Sequence, residues 1–336
     1  MQFGRFPVQD SYIDLIKETL SPHVGDIIIT ECPYEDASRD DFFPFSDLDE
    51  YEAGHTSLWV DSDRPIAHAT REGYRLPGVR LTHLFDGRHT MLRPRHPEDK
   101  AAFELAGNIL KTWALSTRTI GLADYHQIYP EKNWLDRHAS DVRNFFTSSL
   151  ARIAAPSIPY NDERADVDKF ALARDASLQN FAAEGLRRAI KFATRRELTS
   201  PNPVSKGQRC TAVVIAAIQA AYLAPIVLPL PVKQSFKAYK KLDPKAYIHQ
   251  YLIPDWEKTP IGSRLKIALE TGNYAQIFPE AILVDQRYAL PTTFLKALQA
   301  DESHFETIGY ISKFQDEIAL YNTEFEEMTP GALTLR

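Results

Sequence analysis

The chain has 336 residues, 39 Lys+Arg against 45 Asp+Glu for a formal net charge of −6, with 44% hydrophobic and 25% charged residues. This is the composition of an ordinary globular protein of one large or two ordinary domains, and the absence of any dense Lys/Arg block argues against a nucleic-acid binder that depends on phosphate contacts. Two cysteines, Cys32 and Cys210, exclude a disulfide framework. The opening residues lack the basic-then-apolar pattern of a signal peptide, so the expectation is a cytoplasmic protein or one exported without a classical signal.

In chain order, the first expected element is a helix over Asp10 to Thr19, with Tyr12, Ile13, Leu15 and Ile16 at helical spacing. Ile27 to Thr30 follows a Gly-Asp turn as a short apolar strand. Asp36 to Glu52 carries no apolar period and reads as an exposed, acidic loop. Two alternating segments, His55 to Val60 and Pro65 to Ala69, flank the turn-forming residues Asp61 to Arg64 and predict a hairpin. Further strands are expected at Val79 to Leu84 and His89 to Arg93.

From Pro97 the period becomes helical, with Ala102, Leu105, Ile109 and Trp113 on one face, and a helical region is expected to continue to Arg196. Glu197 to Lys206 is a loop leading to the most apolar stretch, Cys210 to Val232. Gln219 and three prolines interrupt that stretch, so it reads as a buried helix ending near Pro225 rather than as a membrane span. Beyond Pro231 the prolines at 244, 254, 260, 279 and 291 suggest short helices.

The expected fold class is therefore α+β: a small antiparallel sheet packed by the Cys210 helix. The expected organisation is a sheet half with the histidine strand over 1–120, a helical insertion over 121–200, the cysteine helix over 201–232 and a helical extension over 233–336.

Several chemistries lack their motifs. The 14 glycines never form a GxG pair, which removes the dinucleotide and kinase glycine loops, and Gly73 to Gly78 is followed by Val79-Arg80 instead of a phosphate-loop Lys-Ser/Thr. There is no GxSxG, no HExxH and no CxxC, so neither a resident metal nor a cofactor is expected.

Cys210 stands where a thiol would be activated. It follows the basic turn Ser205-Lys206-Gly207-Gln208-Arg209 and opens an apolar helix, whose N-terminal partial charge and unpaired N–H groups favour a thiolate and can hold an oxyanion. Gln208, Arg209 and Thr211 are the expected supports. A buried structural cysteine is the competing reading, because free Cys is among the most buried residues. His55 and His68, on adjacent predicted strands, can supply an imidazole within reach of the sulfur and a polar group to orient it. Cys32, between a strand and Pro33, has no helix start to activate it.

Read together, Val24-Gly25-Asp26-Ile27-Ile28, Gly54-His55-Thr56-Ser57-Leu58-Trp59, Ile66-Ala67-His68-Ala69, Gly78-Val79 and Arg209-Cys210-Thr211-Ala212 resemble the circularly permuted papain-like amidases of the YaeF/YiiX type and their NlpC-like relatives. In those families the histidine strand precedes the cysteine helix, as here. The His-Thr-Ser opening is also similar to permuted desumoylase-type peptidases, and the His, His, Cys order to lecithin:retinol acyltransferase-like enzymes. Ala212 departs from the pattern, standing where permuted amidases often carry Glu.

The resemblance implies Cys210 as nucleophile, His55 as general base and His68 as the orienting residue. It implies a peptide, protein or acyl-lipid substrate, and a delivered toxin or effector is one setting for such an enzyme. Two other readings of the same residues stay open: a papain-like scaffold kept as a non-catalytic binding module, and a small metal site built from His55, His68 and Cys210.

Overall fold

The computed structural model describes residues 11–31, 53–70, 78–121, 152–156, 158, 183–197, 209–229, 249–286, 289–314, 317–322 and 333–334. The expected acidic loop, Cys32 and Gln208 lie outside these residues.

The fold is mixed α+β. Helix α1 (Ser11–Leu20) leads into strands β1 (Ile27–Glu31), β2 (Ala53–Trp59), β3 (Ile66–Thr70), β4 (Gly78–Thr82) and β5 (Gly87–Pro94), then α2 (Pro97–Leu115). Strands β6 (Thr117–Gly121) and β7 (Arg152–Pro156) precede α3 (Ala183–Ala193) and α4 (Cys210–Leu223). The chain then runs through α5 (Pro260–Thr271) and α6 (Pro291–Ala300) to β8 (Phe305–Phe314), β9 (Glu317–Asn322) and β10 (Leu333–Thr334).

Eight strands form one antiparallel sheet in the order β10-β9-β8-β5-β1-β2-β3-β4. β1 sits at its centre, and its uninterrupted Ile27-Ile28-Ile29 run follows from burial on both faces. Ile27 and Ile29 belong to the larger core with α2, α3, α4 and α6, whereas Ile28 joins the smaller core under α1. Tyr12, Ile13, Ile16 and Leu20 form the buried stripe of α1 on that second face.

α4 is buried almost all round, as its Ala/Val/Ile composition requires, and it ends at Leu223 just before Pro225. Its one long polar side chain, Gln219, is anchored through Nε2, which donates to the carbonyls of Ile282 and Val284 at 2.9 and 2.7 Å, while Oε1 is buried without a hydrogen-bond partner among the described residues. The last turn of α4 is tied to the first turn of α2, where Tyr222 Oη donates to Asp99 Oδ1 at 2.5 Å. No described helix is long and apolar enough to cross a membrane.

Two expectations are corrected. The segment expected to be wholly helical between Pro97 and Arg196 contains β6 and β7, which pair as a separate two-stranded sheet from Thr117↔Pro156 to Gly121↔Arg152. The C-terminal region is helical only in part, through α5 and α6, because β8 pairs along the whole length of β5, from Gly87↔Lys313 to Pro94↔Phe305, and widens the main sheet. Phe305 to Phe314 takes its strand form from that long ladder, which local proline spacing does not reveal.

Gly25 fixes the entry to β1. Its φ is +94°, its N–H bonds the Trp59 carbonyl at 2.8 Å, and a Cβ there would lie 2.1 Å from the Phe103 carbonyl oxygen of α2. Gly25→Ala is therefore expected to cost roughly 2–4 kcal/mol, the sum of a left-handed alanine and an overpacked contact. A urea unfolding midpoint unchanged from wild type would contradict this.

Candidate active site

The site forms where β2, β3 and β4 meet the first turn of α4. Cys210 is the first residue of α4 and is 6% exposed. Arg209 caps the helix in an extended conformation, and its carbonyl accepts from Val213 N–H at 3.0 Å. The sulfur therefore lies among the unpaired N–H groups and positive end of a 14-residue helix. Thr56 on β2 and Thr211 on α4 join the two elements, hydroxyl to hydroxyl at 2.9 Å, and Thr211 Oγ1 lies 3.8 Å from the sulfur.

β2 and β3 form a hairpin closed by Val60 N–H on the Pro65 carbonyl at 2.7 Å, as the turn residues between them predict. Ladder pairing joins only Leu58 with Ala67 and Trp59 with Ile66. His55 and His68 lie just past that stretch, and their rings meet edge to face at 4.6 Å between centroids, with His55 Nε2 hydrogen-bonded to His68 Nδ1.

The Phe85 ring packs on both imidazoles, at 5.3 Å from His55 and 4.8 Å from His68. His68 is fully buried, and its other nitrogen, Nε2, is 2.9 Å from Thr82 Oγ1. Thr82 reaches it because β3 and β4 pair Ile66 with Thr82 and His68 with Arg80, which places Thr82 diagonal to His68 on one face.

Electrostatics follow from this packing. Burial pushes the Cys210 thiol up, but the charge and hydrogen bond of His55, the Thr56 backbone N–H and the Thr211 hydroxyl outweigh it, and the thiol titrates at about 7 instead of about 9. Because His55 Nε2 is turned to His68, Nδ1 is the nitrogen left for the sulfur. Burial first, then the charge of His55, holds His68 well below the usual imidazole range, so it is neutral.

A third imidazole lies in the same cross-strand row as His55. Thr30 of β1 pairs with His55 on one side and with His89 of β5 on the other. His89 Nε2 donates to the Phe85 carbonyl at 3.1 Å, so its Nδ1 is the acceptor for Thr30 Oγ1 at 2.8 Å. That pair of bonds also fixes the loop that carries Phe85 over the two site histidines.

Burial pushes His89 down to about 3 against the backbone bond from Phe85, which acts in the opposite sense. Histidines with lowered folded pKa contribute stability that is complete above the unfolded value of about 6.5 and is lost as pH falls toward the folded value. The protein is accordingly expected to lose stability between pH 6.5 and pH 4, at up to about 1.4 kcal/mol per pH unit for each of His68 and His89. Melting curves across that range check it, with a shallower slope expected for His89→Gln; a slope equal to wild type would contradict the assignment.

Of the residues expected from the sequence, Cys210, His55 and His68 are brought together in that order of contact, with Thr211 beside the sulfur. Arg209 enters through its backbone as the helix cap, and the lowering of the thiol comes from His55, Thr56 and Thr211. Thr56, Thr82, Phe85 and His89 were not singled out. The signal for Thr82 was available in outline, since an alternating strand two apart from Arg80 places it on the His68 face.

The metal alternative does not fit. His55 Nε2 and His68 Nδ1 face each other instead of converging on a common point, and among the described residues no group of three or more His, Cys, Asp or Glu is arranged to hold an ion. No protein-family model, curated protein or solved structure matches this chain.

Proposed function

We propose that the chain is a cysteine-dependent hydrolase or acyl transferase, built on a papain-like core in permuted order and acting on an amide or ester carbonyl through a covalent thioacyl intermediate. The observation that carries this reading is the position of His55, engaged by the Cys210 sulfur on one side and hydrogen-bonded to a buried, neutral His68 on the other, with the thiol titrating at about 7.

In the proposed sequence of steps, the thiol proton passes from Cys210 Sγ to His55 Nδ1, and the thiolate adds to the substrate carbonyl carbon. The carbonyl electrons move to oxygen, where backbone N–H groups at the start of α4 are the available donors. His55 then gives its proton to the departing amine or alcohol as the carbon–heteroatom bond breaks, leaving the acyl group on sulfur. Water or another nucleophile, losing its proton to His55, resolves the thioester and restores the thiol. Throughout, His68 accepts the Nε2–H of His55 and keeps the ring turned toward the sulfur.

The test is intact-mass analysis after mixing the protein with p-nitrophenyl acetate at pH 7. A stoichiometric acetyl adduct mapped to Cys210, and absent from Cys210→Ala, is the expected result. Acetylation scattered over lysines and unchanged in Cys210→Ala would overturn the proposal.

A further inference from the structure

We propose that Thr82 is a positioning residue for this site: by accepting the Nε2–H of His68 it holds His68 in the one tautomer whose Nδ1 lone pair can receive the Nε2–H of His55. The inference rests on the reading of Cys210 and His55 as a reactive pair, and it assigns the fourth member of a chain running Cys210, His55, His68, Thr82.

The argument is one of hydrogen-bond direction. His68 is fully buried and both its ring nitrogens are engaged, Nδ1 by His55 Nε2 and Nε2 by Thr82 Oγ1 at 2.9 Å. A neutral imidazole offers one N–H and one lone pair, so its two bonds must point the same way along the chain.

If they run from His55 through His68 to Thr82, His55 carries its hydrogen on Nε2 and keeps the Nδ1 lone pair open for the thiol proton. If they run the other way, His55 accepts at Nε2, its hydrogen sits on Nδ1 facing the sulfur, and it cannot serve as the base. Once His55 has taken the thiol proton it has hydrogens on both nitrogens. Only the first direction then gives its Nε2–H an acceptor, and that direction requires an oxygen at residue 82.

Among the described residues, the hydrogen bonds of the His68 ring go to His55 and Thr82. Phe85 covers both rings and brings no hydrogen-bonding group to them. The charged groups flanking His68 on neighbouring strands are His55 on β2 and Arg80, its cross-strand partner on β4, and of these only His55 perturbs the ring electrostatically. A hydroxyl can donate as well as accept, but only as an acceptor does Thr82 serve the charged state of His55, and it is in that direction that Thr82 holds the ring. In Thr82→Val the shape is kept and the oxygen is lost. A buried His68 Nε2–H would then have no acceptor, and the tautomer with hydrogen on Nδ1, aimed at His55, becomes the favoured one.

The experiment is the pH profile of Cys210 alkylation by iodoacetamide in wild type, Thr82→Val and Thr82→Ser, with circular dichroism to establish that each is folded. Thr82→Val is expected to label about tenfold more slowly at pH 6, the loss produced by a one-unit rise in the thiol titration, with little difference above pH 9. Thr82→Ser, which keeps the oxygen, is expected to follow wild type. A purely structural role would instead move stability without moving the profile.

On the wild-type protein itself, 15N-histidine NMR is expected to show His68 protonated at Nε2 and bare at Nδ1, a readout that does not depend on any variant folding. A reactive wild-type thiol with an unchanged Thr82→Val profile, or His68 protonated at Nδ1, would overturn the role of Thr82 while leaving the Cys210–His55 pair standing. An inert wild-type thiol would overturn both.

Discussion

His55→Ala is expected to slow alkylation of Cys210 by about 100-fold at pH 6.5, the change in thiolate fraction when a thiol titrating near 7 returns to about 9. The size follows from the balance at the sulfur. Burial alone pushes the thiol upward, and the largest opposing influences are the charge and the hydrogen bond of His55. The Thr56 backbone N–H and the Thr211 hydroxyl, the smallest of the lowering influences, remain in the variant against the desolvation. His55 is half-buried at the start of β2, so its removal exposes the face of Phe85 without opening the cores beneath α2 and α4. The measurement is the second-order labelling rate from pH 5 to 10. Rates that converge near pH 10 and separate progressively below about pH 9 are the expected form. Coincident profiles would show that His55 does not control the thiol.

Under the proposed mechanism, Cys210→Ala is expected to abolish turnover of an amide or ester substrate, by a factor of roughly 10³ or more, because the covalent step would have no other nucleophile to pass through. The variant should fold. Cys210 opens a helix whose interior residues, Val213 to Ile218, are fully buried and unaffected by the loss of one sulfur, so the stability change is expected near 1 kcal/mol. Combining Cys210→Ala with His55→Ala should cost no more than Cys210→Ala alone, since the two side chains act as a unit. Measured independence of the two substitutions would contradict that coupling.

The sequence exposed the site more fully than the fold around it. Cys210 stood out because a basic turn met an apolar helix, and His55 and His68 because they lie on two adjacent predicted strands beside small apolar residues. These are local signals, and the geometry brings the three side chains together. Thr82 and Thr56 carry no such signal, as threonine is common in strands and only the register of β3 on β4, and of α4 on β2, distinguishes these two from the others.

The central strands were legible from their β-branched alternation. β8 was not, because Phe305 to Phe314 is half-exposed, with the burial pattern of a strand covered on one side for part of its length. What specifies it is the ladder to β5, more than two hundred residues earlier in the chain. The β6–β7 pair escaped for the same reason: residues 122–151 separate its partners in sequence, far more than the short loop by which a hairpin is read.

The measurement that bears most directly on the central claim is competitive labelling of the wild-type protein with limiting iodoacetamide at pH 6.5, each cysteine quantified by peptide mapping. The account predicts that Cys210, although buried, is labelled well ahead of Cys32 and at a rate that His55→Ala removes. Slow labelling of both cysteines, indifferent to His55, would contradict it and leave the fold as a scaffold for binding instead of catalysis.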